Sequence, residues 1–208
     1  MQVFMVKRLI IIAAALLFAC AANAQTYFNL GYGYGMNKIQ FGELDPDTVG
    51  SNAITAGISH NFAIAGNFGI EAGLNYMHDW NWEGLENTDK KTGAMSRFDG
   101  LNIPVLFNYA FPLASDFSVK VLLGPKMFYG ISDKVTTYAN GEKGYTVNSY
   151  DDENIGRFNV SGSIGLAGEW CNKFRFMLGY DLGITDIDHS ELSLRKQSML
   201  TFTLGYIF

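Results

Sequence analysis

The stretch Phe68–Trp82, FGIEAGLNYMHDWNW, decides the fold. Phe68, Ile70, Ala72, Leu74, Tyr76, His78, Trp80 and Trp82 alternate with Gly69, Glu71, Gly73, Asn75, Met77, Asp79 and Asn81. Side chains along a β-strand point to opposite faces with a period of two, so the segment reads as a strand with one apolar face and one small or polar face. Seven further stretches repeat the pattern. Their apolar faces begin at Phe28, Ile54, Leu101, Phe117, Phe158, Phe174 and Leu200. The connections alternate too. Ala63–Asn67, Pro112–Asp116 and Cys171–Lys173 are short, whereas 37–49, 81–97, 132–156 and 185–197 are long. An even number of hairpin-linked strands with short turns at one end and long loops at the other predicts an all-β fold. The expected form is an eight-stranded antiparallel up-and-down transmembrane β-barrel with short periplasmic turns and long extracellular loops.

Volume decides which face points out. The interior of an eight-stranded barrel is just wide enough for side chains to fill it. One face carries Phe, Tyr, Trp and Leu at nearly every step, and the other carries Gly, Ser, Asn, Ala and scattered charges. Only the second set fits inside, so the apolar face should meet lipid. The aromatics also cluster at strand ends. Trp170 and Phe174 lie beside a short turn, with Phe62, Phe68, Tyr109, Phe111 and Phe117. Trp80, Trp82 and Tyr129 lie near the long loops, with Tyr34, Phe98 and Phe158. Two aromatic belts are what the two membrane interfaces select.

The chain has 208 residues, of which 48% are hydrophobic and 17% charged, a composition that excludes a disordered protein. A formal net charge of −5 without a basic cluster excludes nucleic acid as partner. Lys7 and Arg8 precede the apolar run Leu9–Ala19, and Ala22-Asn23-Ala24 follows. This is the layout of a secretory signal peptide, expected over residues 1–24 and cleaved, with the barrel domain over 25–208. Leu17–Cys20 offers an alternative, a loose lipoprotein processing box that would acylate Cys20. After cleavage Cys171 is the lone cysteine, so neither an internal disulfide nor a cysteine metal cluster can form. No cofactor is implied.

Leu101–Tyr109, LNIPVLFNY, resembles the L-x-I-P-x-L-x-x-Y strand of the small outer-membrane β-barrel proteins often labelled "porin family", which are OmpA/OmpX-like barrels. Gly124-Pro125 and Tyr180–Thr185 are similar to that family as well. The resemblance implies the fold and an outer-membrane location, and it does not imply an open pore. Phe208, with Leu204 and Tyr206 on one face, resembles the C-terminal signal by which the barrel assembly machinery recognises its substrates.

On the small-residue face stand Glu71, Lys120, Lys126, Glu169, Arg175 and Asp181. Buried charges need partners, so these six should plug the lumen as ion pairs, or else form a narrow gate for small ions. Glu169 and Arg175 flank one turn and are expected to face each other. Acids cluster in the long loops at Asp45, Asp47, Asp151, Asp152, Glu153, Asp186, Asp188 and Glu191. They read as solvated surface or weak sites for divalent cations, without calcium-loop spacing. Lys90, Lys91, Arg195 and Lys196 are candidates to touch lipid phosphates. His78 sits where acyl chemistry on lipid would need a base, but Trp80 occupies the place of the serine in the His-x-Ser pattern of outer-membrane deacylases. His189 and Ser190 are adjacent, so on extended backbone they diverge. His60 is expected in the periplasmic belt. No catalytic residue is assigned.

The sequence therefore predicts a membrane-embedded structural or interaction scaffold displaying acidic loops. A narrow passive pore is the alternative. A lipid-modifying enzyme and a secretion accessory stand behind it. Outer-membrane lipid and the assembly machinery are the expected partners; no specific protein partner is identified.

Overall fold

A computed structural model describes residues 25–41, 47–85, 92–152, 154–189 and 193–208. The expected signal peptide, Cys20 included, lies outside these residues. So do Asp45, Lys90, Lys91, Glu153, Ser190 and Glu191.

Among the described residues nine strands form one antiparallel sheet: β1 (Gln25–Phe41), β2 (Asp47–Ala65), β3 (Phe68–Leu85), β4 (Thr92–Pro112), β5 (Phe117–Ala139), β6 (Glu142–Asn148), β7 (Phe158–Trp170), β8 (Phe174–Gly183) and β9 (Ser193–Ile207). Eight of them close a ring in the order β1-β2-β3-β4-β5-β7-β8-β9, with β9 pairing back to β1. The ninth, β6, pairs only with the upper part of β5.

The ring is staggered. Leu123 on β5 pairs with Ile164, then Tyr180, Leu200, Tyr34, Asn52, Trp80 and Arg97, and the row returns to β5 at Lys134. Paired rows therefore climb from residue 123 to residue 134 in one circuit, which is the tilt that closing a sheet demands.

The apolar face points outward, as volume required. Leu123, Ile58 and Leu182 are more than half exposed, whereas their neighbours on the other face, such as Leu122 and Met77, are sealed inside. Leu204, Tyr206 and Phe208 lie in the same outward row. Outward aromatics flank both ends: Trp170 and Phe174 stack at 6.3 Å beside their turn, and Tyr129 is exposed at the opposite end. Trp80 and Trp82 complete the upper group on β3, Trp82 lying 5.4 Å from Tyr138.

Several points differ from expectation. The long connections at 37–49, 81–97 and 185–197 are shorter than the sequence suggests, because β1 runs to Phe41 and β2 starts at Asp47, β3 runs to Leu85 and β4 starts at Thr92, and β9 starts at Ser193. The connection 132–156 is not a loop throughout, because β5 runs on to Ala139 and turns through Asn140-Gly141 into β6. Both turn residues have positive φ, 53° and 82°, the geometry of a two-residue hairpin that matches strand twist. Phe98 does not join the outer belt. It pairs with Asp79 and Asp133, both inward, and packs inside. The lumen is also less polar than a face of small residues and charges suggests, since Tyr27, Met77, Leu106, Leu122, Phe128 and Met199 all lie buried in it.

Candidate functional site

The inward face of β5 sets the order of the lumen from the short-turn end upward: Lys120, Leu122, Lys126, Phe128 and Asp133. The lowest layer is ionic. Lys120 Nζ lies 2.8 Å from Glu169 Oε1 and donates to the Tyr27 hydroxyl at 3.0 Å. Tyr27 in turn donates to Glu169 at 2.9 Å. The Arg175 guanidinium stands 4.4 Å from the centre of the Tyr27 ring and pairs with Glu71 at 2.8 Å. Glu71 also accepts from Ser59 at 2.9 Å, and Ser59 accepts from Asn29 at 2.8 Å. Below this layer a vestibule of about 230 Å³, lined by Asn61, Asn108 and Asn172 among others, opens at the short-turn end.

Glu169 and Arg175 do sit opposite each other in the β7–β8 ladder, but they are not ion partners. Arg175 reaches across the lumen to β3, and Glu169 takes Lys120 on β5. With three acids and three cations in pairs, all six predicted charges are matched, and the third pair is Lys126 to Asp181 at 2.8 Å. Each is nearly sealed from solvent, so each charge depends on its partner.

Two apolar clusters stand among the ionic groups. Leu106, Leu122 and Ala167, joined by Met177, form the lower. Ala53, Met77, Phe128 and Met199, joined by Phe98, form the upper. A cavity of about 40 Å³ runs past the lower cluster, lined by Glu71 and Arg175 below and by Asn75, Asn102, Thr201 and Lys126 above, space for roughly three water molecules.

A cap covers the upper end. Ser51 donates to Asp79 at 2.7 Å, and Arg195 pairs with Asp133 at 3.1 Å. A 3-10 turn, Ser149–Asp151, lays Tyr150 over the opening. Arg157 stacks 4.3 Å from the Tyr150 ring and donates to the carbonyl of Ile131 at 3.1 Å. Burial, followed by the charge of Asp133, pushes the Tyr150 phenol up to about 12. The two loops that hold the cap are stitched together, Gly156 N–H to Ile187 O at 2.8 Å and His189 N–H to Asn154 O at 2.8 Å.

Arg195 was expected to meet lipid beside Lys196. Because both stand on β9, alternation turns them to opposite faces, and Arg195 goes inside. The loop acids mostly hold backbone. Asp186 Oδ1 accepts from the amides of Arg195 and Asp188, and Asp152 Oδ1 accepts from Asn154. Among the described residues no group of three or more His, Cys, Asp and Glu side chains could hold a metal ion.

On the outer surface, His78 Nδ1 lies 2.8 Å from Asp99 Oδ1, and its ring stacks on Trp80 at 5.7 Å. The Tyr76 hydroxyl bonds the same carboxylate. His60 at the other end faces outward, 2.9 Å from Thr26 Oγ1 and against Phe62.

Tyr27, Asp79, Asp133 and Arg195 are residues that the sequence reading missed as lumen groups. The parity of Asn29 already pointed to Tyr27. A bulge at Ile131, where β5 gains a residue against Asp99-Gly100, reset the alternation above it and hid Asp133.

The profile of the outer membrane protein beta-barrel domain family matches residues 22–189. No curated protein sequence matches the chain. Among solved structures, the attachment invasion locus protein Ail of Yersinia pestis is similar at 13% identity and a TM-score of 0.39, covering 88% of this chain and 98% of that one. Outer membrane protein OprG from Pseudomonas aeruginosa is similar at 12% identity and a TM-score of 0.42, covering 89% and 96%. The outer membrane protease OmpT from Escherichia coli is similar at 10% identity and a TM-score of 0.42, covering 90% and 97%.

Proposed function

The chain belongs to the outer membrane protein beta-barrel domain family, and on that footing we propose that it is a closed barrel, a membrane-embedded scaffold that acts through what it displays outside. Residues 1–24 serve as its cleaved export signal. The assembly machinery inserts it, with the short turns in the periplasm and the long loops on the cell surface.

The observation that carries this reading is the apolar layer across the upper lumen. An ion entering from either end must shed its water at Ala53, Met77, Phe128 and Met199, which close in from strands around the ring. Below that layer six charges are matched in three ion pairs and offer little to draw it in. What remains available to a partner is the surface above the membrane: the β5–β6 hairpin, with Tyr145 and Val147 exposed on it, and the acids Asp151, Asp152 and Asp186 around the cap. The reading assigns no catalytic step. His78 is engaged by Asp99 and by Trp80 and serves as an interfacial anchor.

Single-channel recording of the refolded protein in planar bilayers tests the reading. The expected trace stays at baseline. A reproducible open level in the unmodified protein would replace the scaffold with the narrow pore.

A further inference from the structure

Two pairs of cations stand on the outer surface at the loop end, none of them in an ion pair among the described residues. Arg97 on β4 pairs directly opposite Lys134 on β5, and Lys38 on β1 directly opposite Lys196 on β9. Arg97, Lys134 and Lys38 are exposed. Like charges placed opposite each other across a ladder repel, so neither pair helps the sheet that carries it. None of the four is within ion-pair distance of a carboxylate among the described residues. Among the described residues, the side-chain hydrogen bond that Arg97 makes is to Met95 Sδ at 3.2 Å.

The acids nearby are turned away or occupied. Asp79 and Asp133 point inward. Asp99 faces outward and feels the charge of Lys134, but it is held by His78 and Tyr76 and lies beyond ion-pair distance of the lysine. In a chain of net charge −5, the outward face at this end is thus locally basic.

The pairs share one height. Paired rows climb about ten residues per circuit of eight strands once the bulge is set aside, so from Tyr34 on β1 to Arg97 on β4 a row gains about four residues. That is the separation of Tyr34 from Lys38. In the ring order, the β4–β5 seam and the β9–β1 seam are diametrically opposite. Trp80, the ladder neighbour of Arg97, and Tyr34 mark the aromatic belt just beneath. Aromatic belts sit at headgroup depth.

We infer that each pair is a docking site for the phosphate of a phosphorylated lipid in the leaflet on the loop side, one lipid on each side of the barrel. The inference rests on the membrane orientation proposed above. The Arg97 fork and the Lys134 ammonium supply charge-assisted hydrogen bonds to one phosphate, and the Lys38–Lys196 pair binds a second as two point charges. Phosphate between the two cations of a pair also removes the repulsion that the bare ladder suffers.

Native mass spectrometry of the full refolded barrel, released from detergent containing bis-phosphorylated lipid A or its dephosphorylated form, tests this. The wild type should retain up to two phosphorylated lipids and few dephosphorylated ones. Arg97→Gln with Lys134→Gln should retain one fewer, with about tenfold weaker overall binding at low salt. Adding Lys38→Gln and Lys196→Gln should abolish retention. Lys143→Gln with Lys173→Gln, the same charge change on the hairpin and on the opposite turn, should retain both. A heat-modified gel shift confirms that every variant is folded. Equal retention by the fourfold variant, equal retention of dephosphorylated lipid, or displacement by millimolar inorganic phosphate would each overturn the inference. The last would show sites for free anion rather than for lipid. A closed trace with failed lipid retention sinks only this inference, whereas an open trace with retained lipid sinks only the scaffold.

Discussion

Arg175 on β8 and Glu71 on β3 meet across the lumen at 2.8 Å, although the carboxylate opposite Arg175 in its own ladder is Glu169. The pair therefore ties two strands that are not neighbours in the ring. Removing one partner strands a buried charge. Arg175→Met should cost about 3–5 kcal/mol. The loss is read as a lower temperature at which the compact gel band disappears. Arg175→Met with Glu71→Leu should recover most of it, and a double variant no better than the single one would refute the pairing.

The upper apolar layer reaches in from strands around the ring, whereas the lower cluster lines one wall beside a polar cavity, so the two should not matter equally. Leu106→Ser with Leu122→Ser should leave bilayer recordings at baseline. Met77→Ser with Met199→Ser should give discrete conductance steps. Steps from the lower double variant, or a flat trace from the upper one, would mean that the seal lies elsewhere.

Cys171 and Asn172 form the tight turn between β7 and β8 with φ of 54° and 51°. A left-handed backbone is costly for a residue with a Cβ, and glycine is free of that cost. Cys171→Gly should raise the stability of the barrel by about 1 kcal/mol, seen as a later loss of the compact band on heating. An unchanged or earlier loss would show that the cysteine side chain contributes more than the turn costs.

The raised Tyr150 phenol makes the cap sensitive to alkali. Its folded value of about 12 lies above the roughly 10 of an exposed phenol. The neutral form is therefore favoured in the folded state. The stability it contributes is complete below about pH 10 and drains away as pH climbs toward 12. Ultraviolet titration of wild type against Tyr150→Phe should show the lost tyrosine ionising in that late window. A difference spectrum that rises at or below pH 10 would contradict the placement of this ring.

The hairpin above the barrel turns on Gly141, whose φ of 82° suits glycine alone among common residues. Gly141→Val should open the β5–β6 hairpin to protease between Ala139 and Lys143. The ring beneath is distant and should keep its heat-modified band unchanged. Unaltered protease resistance would show that the turn does not hold the hairpin.

Alternation makes most of this barrel legible in its sequence. A period of two needs only the identities of near neighbours, so the outward rows, six of the lumen charges and the short turns could be read directly. Partner choice could not. Whether Arg175 meets Glu169 or Glu71 depends on the stagger of the whole ring, which no local pattern encodes. A single bulge at Ile131 defeats parity for everything above it, and Asp133 went unnoticed for that reason. The β5–β6 hairpin is a different case, since Asn140-Gly141 is a strong hairpin signal standing in plain view within a stretch treated as loop.

The seam between β9 and β1 brings Tyr27 beside Ile207 and Phe41 beside Ser193. It is the contact most distant along the chain, and it is the one that abolishes both edges. Until it forms, the other strands are a curled ribbon with two rows of bare amides and carbonyls, which hydrocarbon will not tolerate and which other chains can pair with. Folding and insertion must therefore finish as one event. A chain stalled before Ser193 is not a smaller barrel but a sticky intermediate, and its safe passage to the membrane is a problem in timing and escort rather than in stability.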